Sequence, residues 1–252
     1  MASQQKVAFI TGANKGLGLE TARGLGKLGV AVVLGSRDEA NGRAAADALR
    51  SDGIAAAEAV CFDVTRPEDH QQIYRHLESR YGKLDILVNN AGVMLEAGDF
   101  GSPAGFNTTS TVTPKILRDT FDTNFFGVVA LTQTLLPLIR KAPAGRVVNL
   151  SSILGSLTLH ADPSSPIYKM KAFAYDASKA ALNAFTVHLA QELRGTKIKV
   201  NSAHPGWVKT DLGGPHAPMD VREGAKTSVQ LATLPDDGPT GGYFHLGKAL
   251  PW

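Results

Sequence analysis

Short apolar runs alternate with longer amphipathic stretches along most of the chain. The runs are rich in β-branched residues and too short for helices, whereas the stretches between them repeat apolar residues at helical spacing. Near-continuous apolar strands that alternate with helices are typical of a parallel sheet covered on both faces. The pattern predicts strands within 6–11, 30–36, 56–64, 84–92, 145–152 and 198–206, and helices within 18–29, 38–53, 66–82, 117–142 and 175–195.

No linker or repeat interrupts this alternation, and 252 residues suffice for one large core. The sequence therefore predicts a single α/β domain over 1–252, a Rossmann-like doubly wound parallel sheet with helices on both faces. Loop insertions are expected near 94–114 and 153–173, and long loops in a compact domain are usually functional. A Gly- and Pro-rich stretch near 211–228 is expected to form a mobile substrate lid.

Composition and charge exclude several other classes of protein. No apolar stretch approaches the roughly 20 residues that span a bilayer, so we expect no membrane partner. The N-terminal segment lacks a signal-peptide pattern, and a formal charge of +3 with mixed signs argues against a nucleic-acid partner. The single cysteine, Cys61, is expected to be a packed strand residue and fits a reducing, cytoplasmic location. The seven histidines have no metal-ligand spacing, so no metal site is expected.

The segment TGANKGLG, residues 11–18, lies between the first predicted strand and the first predicted helix. Its glycines, Gly12, Gly16 and Gly18, allow the backbone to turn tightly and approach a ligand. The following helix presents unpaired N–H groups and the positive end of its dipole, which suit a pyrophosphate. An ordinary strand-to-helix turn can also contain glycines, but this position in an alternating α/β chain favours a dinucleotide site.

The residues after the second strand indicate which nicotinamide cofactor is used. Enzymes that use NAD usually have an acid here, whereas this chain has Ser36 and Arg37. A guanidinium group fits the 2′-phosphate of NADP, and Lys15 offers a second cation. Each such hydrogen bond to a charged group contributes about 1.5–3 kcal/mol. Taken singly, both cations are also consistent with solvated surface charges, but together they predict NADP(H). The neighbouring Asp38 is expected to cap a helix.

Four motifs in this order resemble those of the classical short-chain dehydrogenases/reductases, over nearly the whole chain. They are TGANKGLG (11–18), NNAG (89–92), YDASK (175–179) and HPGWVKTDL (204–212). The glycine loop and the last motif resemble most the NADPH-dependent carbonyl reductases of the family. The resemblance implies a Rossmann-like fold and hydride transfer between a nicotinamide and a carbonyl or alcohol carbon.

Tyr175 and Lys179 are the candidate proton-transfer pair. They are four residues apart and share a helix face. Reduction of a carbonyl by hydride needs a proton for the developing alkoxide, and a nearby ammonium should lower the tyrosine pKa from its usual value near 10. The resemblance implies that Lys179 also holds the nicotinamide ribose, that Ser152 binds the substrate oxygen and that Asn124 anchors a proton-relay water.

A second tyrosine, Tyr168, has Lys171 three residues later and precedes the predicted helix. It is expected to line or close the substrate loop rather than to transfer a proton. Ser151 is the weaker candidate for the substrate-binding serine, because it points to the other side of the strand. A structural role for Asn90 is at least as well supported as a ligand contact.

The resemblance also implies a set of cofactor contacts around the glycine loop and the strand ends. Asp63 should bond the adenine edge, and Thr210 should bond the nicotinamide carboxamide. The full set is Gly12, Asn14, Lys15, Gly16, Leu17, Gly18, Ser36, Arg37, Asp63, Val64, Asn89, Ala91, Gly92, Tyr175, Lys179, Pro205, Gly206, Val208 and Thr210.

The interval between Ser152 and Tyr175 is about twice that of most family members, and the monomeric carbonyl reductases have a still longer insert. A monomer or a small homo-oligomer is therefore expected. Trp207 and the 100–106 loop are candidates for an apolar pocket wall, and three histidines are candidate pocket residues. These histidines are His160, His204 and His216.

Three functions remain open from the sequence. The first is an NADPH-dependent reductase of aldehydes, ketones or quinones. The second is an NADP-dependent secondary-alcohol dehydrogenase acting on a steroid, sugar or terpenoid alcohol. The third is a catalytically idle protein that senses NADP(H), which is disfavoured because relatives of that kind usually lose the tyrosine or the lysine.

Overall fold

The computed structural model describes residues 5–96 and 109–252, and within them one sheet organises the fold. Its strand order is β3-β2-β1-β4-β5-β6-β7-β8, with parallel pairing from β3 to β7 and an antiparallel β7–β8 hairpin. The predicted doubly wound parallel sheet is confirmed. The strands are β1 (Val7–Ile10), β2 (Ala31–Ser36), β3 (Ala57–Cys61), β4 (Ile86–Asn89), β5 (Arg146–Leu150), β6 (Lys199–Ala203), β7 (Tyr243–His245) and β8 (Lys248–Ala249).

Helices cover both faces of this sheet. Successive residues of a strand point to opposite faces. Thus Val7 and Phe9 enter one core cluster, whereas Ala8 and Ile10 enter a second one. The helices are α1 (Gly16–Lys27), α2 (Glu39–Ser51), α3 (Pro67–Tyr81), α4 (Pro114–Phe121), α5 (Gly127–Lys141), α6 (Leu157–Ala161), α7 (Phe173–Glu192) and α8 (Val221–Ala232).

The predicted helix over 117–142 is interrupted by a π-helical segment at Asp122–Phe126 that joins α4 to α5. The wider turn lies beside the β3–α3 connection, where a Cβ on Gly127 would stand 2.3 Å from the carbonyl oxygen of Val64. Such π segments are frequent at functional sites. The hydrophobic pattern does not reveal this one, because Asp122–Phe126 keeps the apolar spacing of an ordinary helix.

Asp38 caps α2 as predicted, because its side chain accepts a hydrogen bond from the Asn41 N–H at 2.7 Å. The prediction for Cys61 is wrong in one respect. It is a strand residue but is exposed, because β3 is an edge strand with a neighbour on one side only.

The irregular stretches differ in part from the predictions. Residues 221–228 of the predicted lid form the first turns of α8, so only 211–220 is irregular. The 153–173 stretch contains a 3₁₀ turn at Ile153–Gly155 and the short helix α6. In the predicted loop near 94–114, residues 97–108 lie outside the described residues. No helix in the described ranges is both long and apolar enough to cross a membrane.

Candidate active site

A cavity of about 750 Å³ opens at the carboxyl ends of β1, β4, β5 and β6. The strand order reverses between β1 and β4, and in open α/β sheets ligands bind at such switch points. Many residues predicted to bind the cofactor or to act in catalysis line this one cavity. They are Lys15, Gly16, Leu17, Gly18, Gly92, Ser152, Tyr175, Lys179, Pro205, Gly206, Val208 and Thr210.

The glycine loop has the geometry of a phosphate cradle. Gly12 and Gly16 adopt left-handed φ angles of 61° and 58°. A Cβ on Gly18 would stand 2.5 Å from the carbonyl oxygen of Gly12, so the close turn excludes a side chain there. The N-terminus of α1 has no side-chain cap, since Lys15 at the cap position makes no such hydrogen bond. N–H groups without a side-chain cap, next to a turn whose glycines carry no side chains, fit a pyrophosphate.

Tyr175 and Lys179 lie one turn apart near the start of α7, and both are buried. The Nζ atom of Lys179 donates to the carbonyl oxygen of Leu150 at 2.8 Å and stands 5.6 Å from the centre of the Tyr175 ring. Burial lowers the pKa of Lys179 to about 8. Burial also raises the pKa of Tyr175 to about 12. The expected lowering of the tyrosine pKa is therefore wrong for this structure, because desolvation of the phenolate has the largest effect.

Ser152 follows β5 and caps the 3₁₀ turn, where its Oγ accepts from the Leu154 N–H at 3.2 Å. A hydrogen bond between Ser152 and Tyr175 opposes the burial effect and lowers the tyrosine pKa in part. The neighbouring Ser151 is more deeply buried, although it too lines the cavity. The structure therefore brings the predicted serine and tyrosine hydroxyls together.

Asn124 lies in the π-helical segment and is fully buried. Its Nδ2 donates to the carbonyl oxygen of Val93 at 2.8 Å and to Ser178 Oγ at 3.0 Å, and its Oδ1 accepts from the Val93 N–H at 2.8 Å. It does not line the cavity, but a Cβ on Gly92 would stand 3.3 Å from both Asn124 Oδ1 and Lys179 Nζ. Asn124 thus ties the segment after β4 to α7.

The residues predicted to bind the adenosine lie outside this cavity, at the ends of β2 and β3. Arg37 is exposed, whereas Ser36 is buried and donates through Oγ to the carbonyl oxygen of Asp38 at 2.7 Å. Asp63 accepts from the Thr65 N–H at 2.9 Å. Val64, Gly12, Asn14, Asn89 and Ala91 are also outside the cavity lining.

The two asparagines of the NNAG motif differ in placement. The side chain of Asn89 is buried in the sheet, where its Nδ2 donates to Asn149 Oδ1 at 2.8 Å. Asn90 lines the cavity, and its Nδ2 donates to the carbonyl oxygens of Thr11 and Gly12 at 2.8 and 2.9 Å. Asn90 therefore holds the glycine loop in place, in agreement with a structural role.

Lys15 forms an ion pair with Asp211, which connects the glycine loop to the segment after β6. Both side chains are largely exposed, so this ion pair contributes little to stability. It lies at the cavity, which both residues line.

Much of the cavity wall is apolar. Trp207 is 41% exposed and its Nε1 donates to the carbonyl oxygen of Gly213 at 2.7 Å. Tyr168 does not line the cavity, although its loop does, and Lys171 Nζ stands 5.2 Å from the centre of its ring. The 100–106 candidates lie outside the described residues. The main apolar lining residues are Ile153, Leu154, Pro166, Ile167, Met170, Trp207 and Leu212.

Of the three candidate histidines, only His204 lines the cavity. Its Nδ1 accepts from the Ile153 N–H at 3.2 Å, and burial lowers its pKa to about 3. A neutral His204 therefore holds the backbone next to Ser152. Two other polar residues beside the candidate pair, Glu96 and Asp176, were not predicted from the sequence. No motif contains Glu96, and Asp176 has the pattern of an ordinary helix residue.

Comparison with known proteins gives a consistent result. A sequence profile for the family described as short chain dehydrogenase matches residues 6–220. Mouse carbonyl reductase [NADPH] 1 is 34% identical over 290 aligned positions, covering 100% of both chains. Peppermint (Mentha piperita) (-)-isopiperitenone reductase is 33% identical, covering 99% of both. The NADPH-bound structure of carbonyl reductase from chicken fatty liver is 27% identical with a TM-score of 0.82, covering 99% of this chain and 100% of that one.

Proposed function

The chain belongs to the short-chain dehydrogenase family, where it is most like the carbonyl reductases, and on this premise we propose that it is an NADPH-dependent carbonyl reductase with Tyr175 as its proton donor. The observation that carries the proposal is the convergence of Tyr175, Ser152 and Lys179 on the cavity that the glycine loop also lines. A dinucleotide cradle and a buried acid in one cavity are what hydride reduction of a carbonyl requires.

The chain's own residues handle the oxygen of the substrate. NADPH, when held by the glycine loop, would supply the hydride for the carbonyl carbon. The Ser152 hydroxyl donates a hydrogen bond to the carbonyl oxygen, at the place where negative charge develops. The Tyr175 hydroxyl gives its proton to the same oxygen, so that the product is an alcohol. A tyrosine whose pKa is raised to about 12 keeps this proton at neutral pH until the alkoxide forms.

Lys179 and Asn124 keep this arrangement in place. The ammonium of Lys179 is fixed by the Leu150 carbonyl and is available to the nicotinamide ribose and to the tyrosinate left after proton transfer. Asn124 anchors the start of the segment after β4 against α7 through Val93 and Ser178. A proton-relay water at Asn124 belongs to the same proposal.

NADP(H) is proposed as the cofactor. Gly12 and Gly16 turn with left-handed φ angles, a Cβ on Gly18 would clash with the turn itself, and the N-terminus of α1 has no side-chain cap, so the residues present fit the pyrophosphate. Arg37, exposed at the end of β2, is free of an acidic neighbour at position 36 and would bind the 2′-phosphate. Lys15, which pairs with Asp211 in this structure, would leave that carboxylate and bind the 2′-phosphate instead.

The substrate is proposed to be an apolar aldehyde, ketone or quinone. Behind the serine and tyrosine hydroxyls, the cavity presents aliphatic and aromatic side chains from the 153–173 loop and from Trp207 and Leu212. Several of the remaining polar lining residues are already engaged with the protein: Asn90 with the glycine loop, His204 with the Ile153 N–H and Asp211 with Lys15. A polar substrate such as a sugar would leave most of its hydroxyl groups unpaired there, at a cost of about 1–3 kcal/mol each.

The test is the loss of NADPH absorbance with aromatic aldehydes, α-diketones, quinones and cyclic ketones, with NADH in parallel. The proposal expects rapid loss with NADPH and slow loss with NADH. The matching secondary alcohols with NADP⁺ report the oxidative direction. NADPH binding without turnover in either direction would contradict the proposed function.

A further inference from the structure

Helix α7 carries both Tyr175 and Lys179 but has no cap of its own. Its cap position is Ala172, which has no side-chain acceptor. The first N–H groups of a helix have no partner inside the helix, and buried ones need an acceptor. Tyr175 is the third residue of α7, so the unpaired N–H groups belong to the backbone that positions the proton donor.

Glu96 supplies this acceptor from a distant part of the chain. It follows β4, and its side chain is 5% exposed. Its Oε1 accepts from the N–H of Ala174, and both carboxylate oxygens stand 3.3 Å from the N–H of Tyr175. A carboxylate at this end of a helix also interacts favourably with the dipole. Glu96 therefore caps α7 through a tertiary contact.

A second carboxyl group completes the cluster. Asp176 is 9% exposed, and its Oδ2 accepts from the Ala172 N–H at 3.1 Å and lies 3.2 Å from His160 Nε2. The charged and titratable groups facing this carboxyl are Glu96 from the segment after β4, His160 from α6, Lys171 from the following loop and Tyr175 on α7.

Hydrogen bonding shows how the charge is distributed. Lys171 Nζ lies 2.9 Å from His160 Nδ1, which must therefore accept, and His160 Nε2 lies 2.9 Å from the carbonyl oxygen of Leu154. His160 is thus a neutral imidazole that donates through Nε2. Burial, and then the charge of Glu96, raise the pKa of Asp176 to about 8. Asp176 is therefore mainly protonated at neutral pH.

From this geometry we infer that Glu96 is a positioning residue for the reaction, because its carboxylate caps the catalytic helix and fixes the backbone from which the Tyr175 side chain projects. The inference rests on the proposed function for its kinetic consequence. Tyr175 must stay within hydrogen-bond reach of the carbonyl oxygen beside Ser152, and a small displacement of the first turn of α7 would break that geometry. Binding of NADPH at the glycine loop does not depend on it.

The experiment compares Glu96→Ala, which removes the acceptor, with Glu96→Gln, which keeps the Oε1 acceptor without the charge. Thr113→Ala is the matched control, since Thr113 caps α4 through the Ile116 N–H and α4 carries no proton donor. For Glu96→Ala we expect kcat to fall about 10–100-fold, with KM for the carbonyl and Kd for NADPH within about twofold. Amide exchange in residues 172–178 should rise about tenfold. Glu96→Gln should keep kcat and amide exchange close to those of the unaltered protein, and Thr113→Ala should change neither kcat nor the amide exchange of residues 172–178.

Glu96→Asp, which withdraws the carboxylate by one methylene, replaces Glu96→Ala if the latter does not fold. A folded Glu96→Ala protein with unchanged kcat would overturn the inference. So would a Glu96→Gln protein as impaired as Glu96→Ala, or an equal loss in Thr113→Ala. If the unaltered protein reduces no carbonyl, the proposed function fails, while amide exchange at α7 still decides whether Glu96 is the cap.

Discussion

The ammonium of Lys179 stands 5.6 Å from the centre of the Tyr175 ring, and its hydrogen bond goes to the carbonyl oxygen of Leu150 rather than to a carboxylate. A buried cation without an anionic partner is costly to a fold. Its place beside the proposed proton donor accords with the proposed role of Lys179 in the reaction, which would then come at the expense of stability.

This relationship predicts an unusual dependence of stability on pH. The pKa of Lys179 is lowered to about 8 in the folded protein, from 10.5 in the unfolded chain. Between pH 8 and 10.5 the folded state therefore binds fewer protons than the unfolded chain. The contribution of Lys179 to the free energy of unfolding is therefore fully present above pH 10.5 and is lost as the pH falls through 8. Relative to the unaltered protein, Lys179→Met should gain about 2–3 kcal/mol in the free energy of unfolding between pH 10 and pH 7.

Denaturant unfolding at the two pH values measures this difference. Lys83→Met is the control, because Lys83 is also buried but donates to Asp85 at 3.0 Å. Its removal leaves the buried Asp85 carboxylate without its counter-ion and should destabilise the protein by about 3–5 kcal/mol. An identical stability difference for Lys179→Met at pH 7 and pH 10 would show that burial does not lower the lysine pKa.

Asp176 predicts the opposite trend at lower pH. Its pKa is raised to about 8, from 3.8, so between these values the folded protein keeps a proton that the unfolded chain has released. The contribution of Asp176 to the free energy of unfolding is therefore fully present below pH 4. It falls as the pH rises to 8, by at most roughly 5 kcal/mol. Asp176→Asn should remove this fall in a series of unfolding measurements from pH 4 to 8. Asp220→Asn is the control variant. Asp220 is an exposed cap of α8, and the hydrogen bond that it accepts from the Glu223 N–H lowers its pKa. An unchanged slope in Asp176→Asn would mean that the carboxyl is ionised throughout.

Arg37 decides cofactor choice in this account. Arg37→Asp places a negative charge where the 2′-phosphate would lie, so kcat/KM for NADPH should fall about 10–100-fold while that for NADH is kept or rises. Arg43→Asp is the control, because Arg43 is an exposed residue of α2 that pairs with Glu39. Steady-state kinetics with both cofactors give the ratio. A ratio that Arg37→Asp leaves unchanged would assign the 2′-phosphate to other residues.

The order of strands and helices was predictable because buried parallel strands leave a strong local signal. The position of each strand within the sheet was less predictable. Cys61 looked like a core residue, but its exposure depends on β3 being at the edge of the sheet, which periodicity along the chain does not encode. The β7–β8 hairpin escaped detection because its strands are only three and two residues long.

The proposed catalytic motif was predictable from the sequence for a different reason. Tyr175 and Lys179 lie one helical turn apart, so their proximity follows from local spacing. Glu96 meets Tyr175 from 79 residues away, and only the folding of the segment after β4 onto α7 creates that contact. The tyrosine pKa was mispredicted for the same reason, since burial is a tertiary property.

The most direct test of the account compares Tyr175, on α7, with Tyr168, in the loop that precedes α7. Tyr175→Phe and Tyr168→Phe each remove one hydroxyl, the first inside the cavity and the second from a side chain that is 39% exposed outside its lining. With the best carbonyl of the substrate panel, Tyr175→Phe should lower kcat by at least about 100-fold, while Kd for NADPH stays within about twofold. Tyr168→Phe should retain kcat within about twofold of the unaltered protein. Retained turnover in Tyr175→Phe, or its loss in Tyr168→Phe alone, would contradict the assignment of Tyr175 as proton donor.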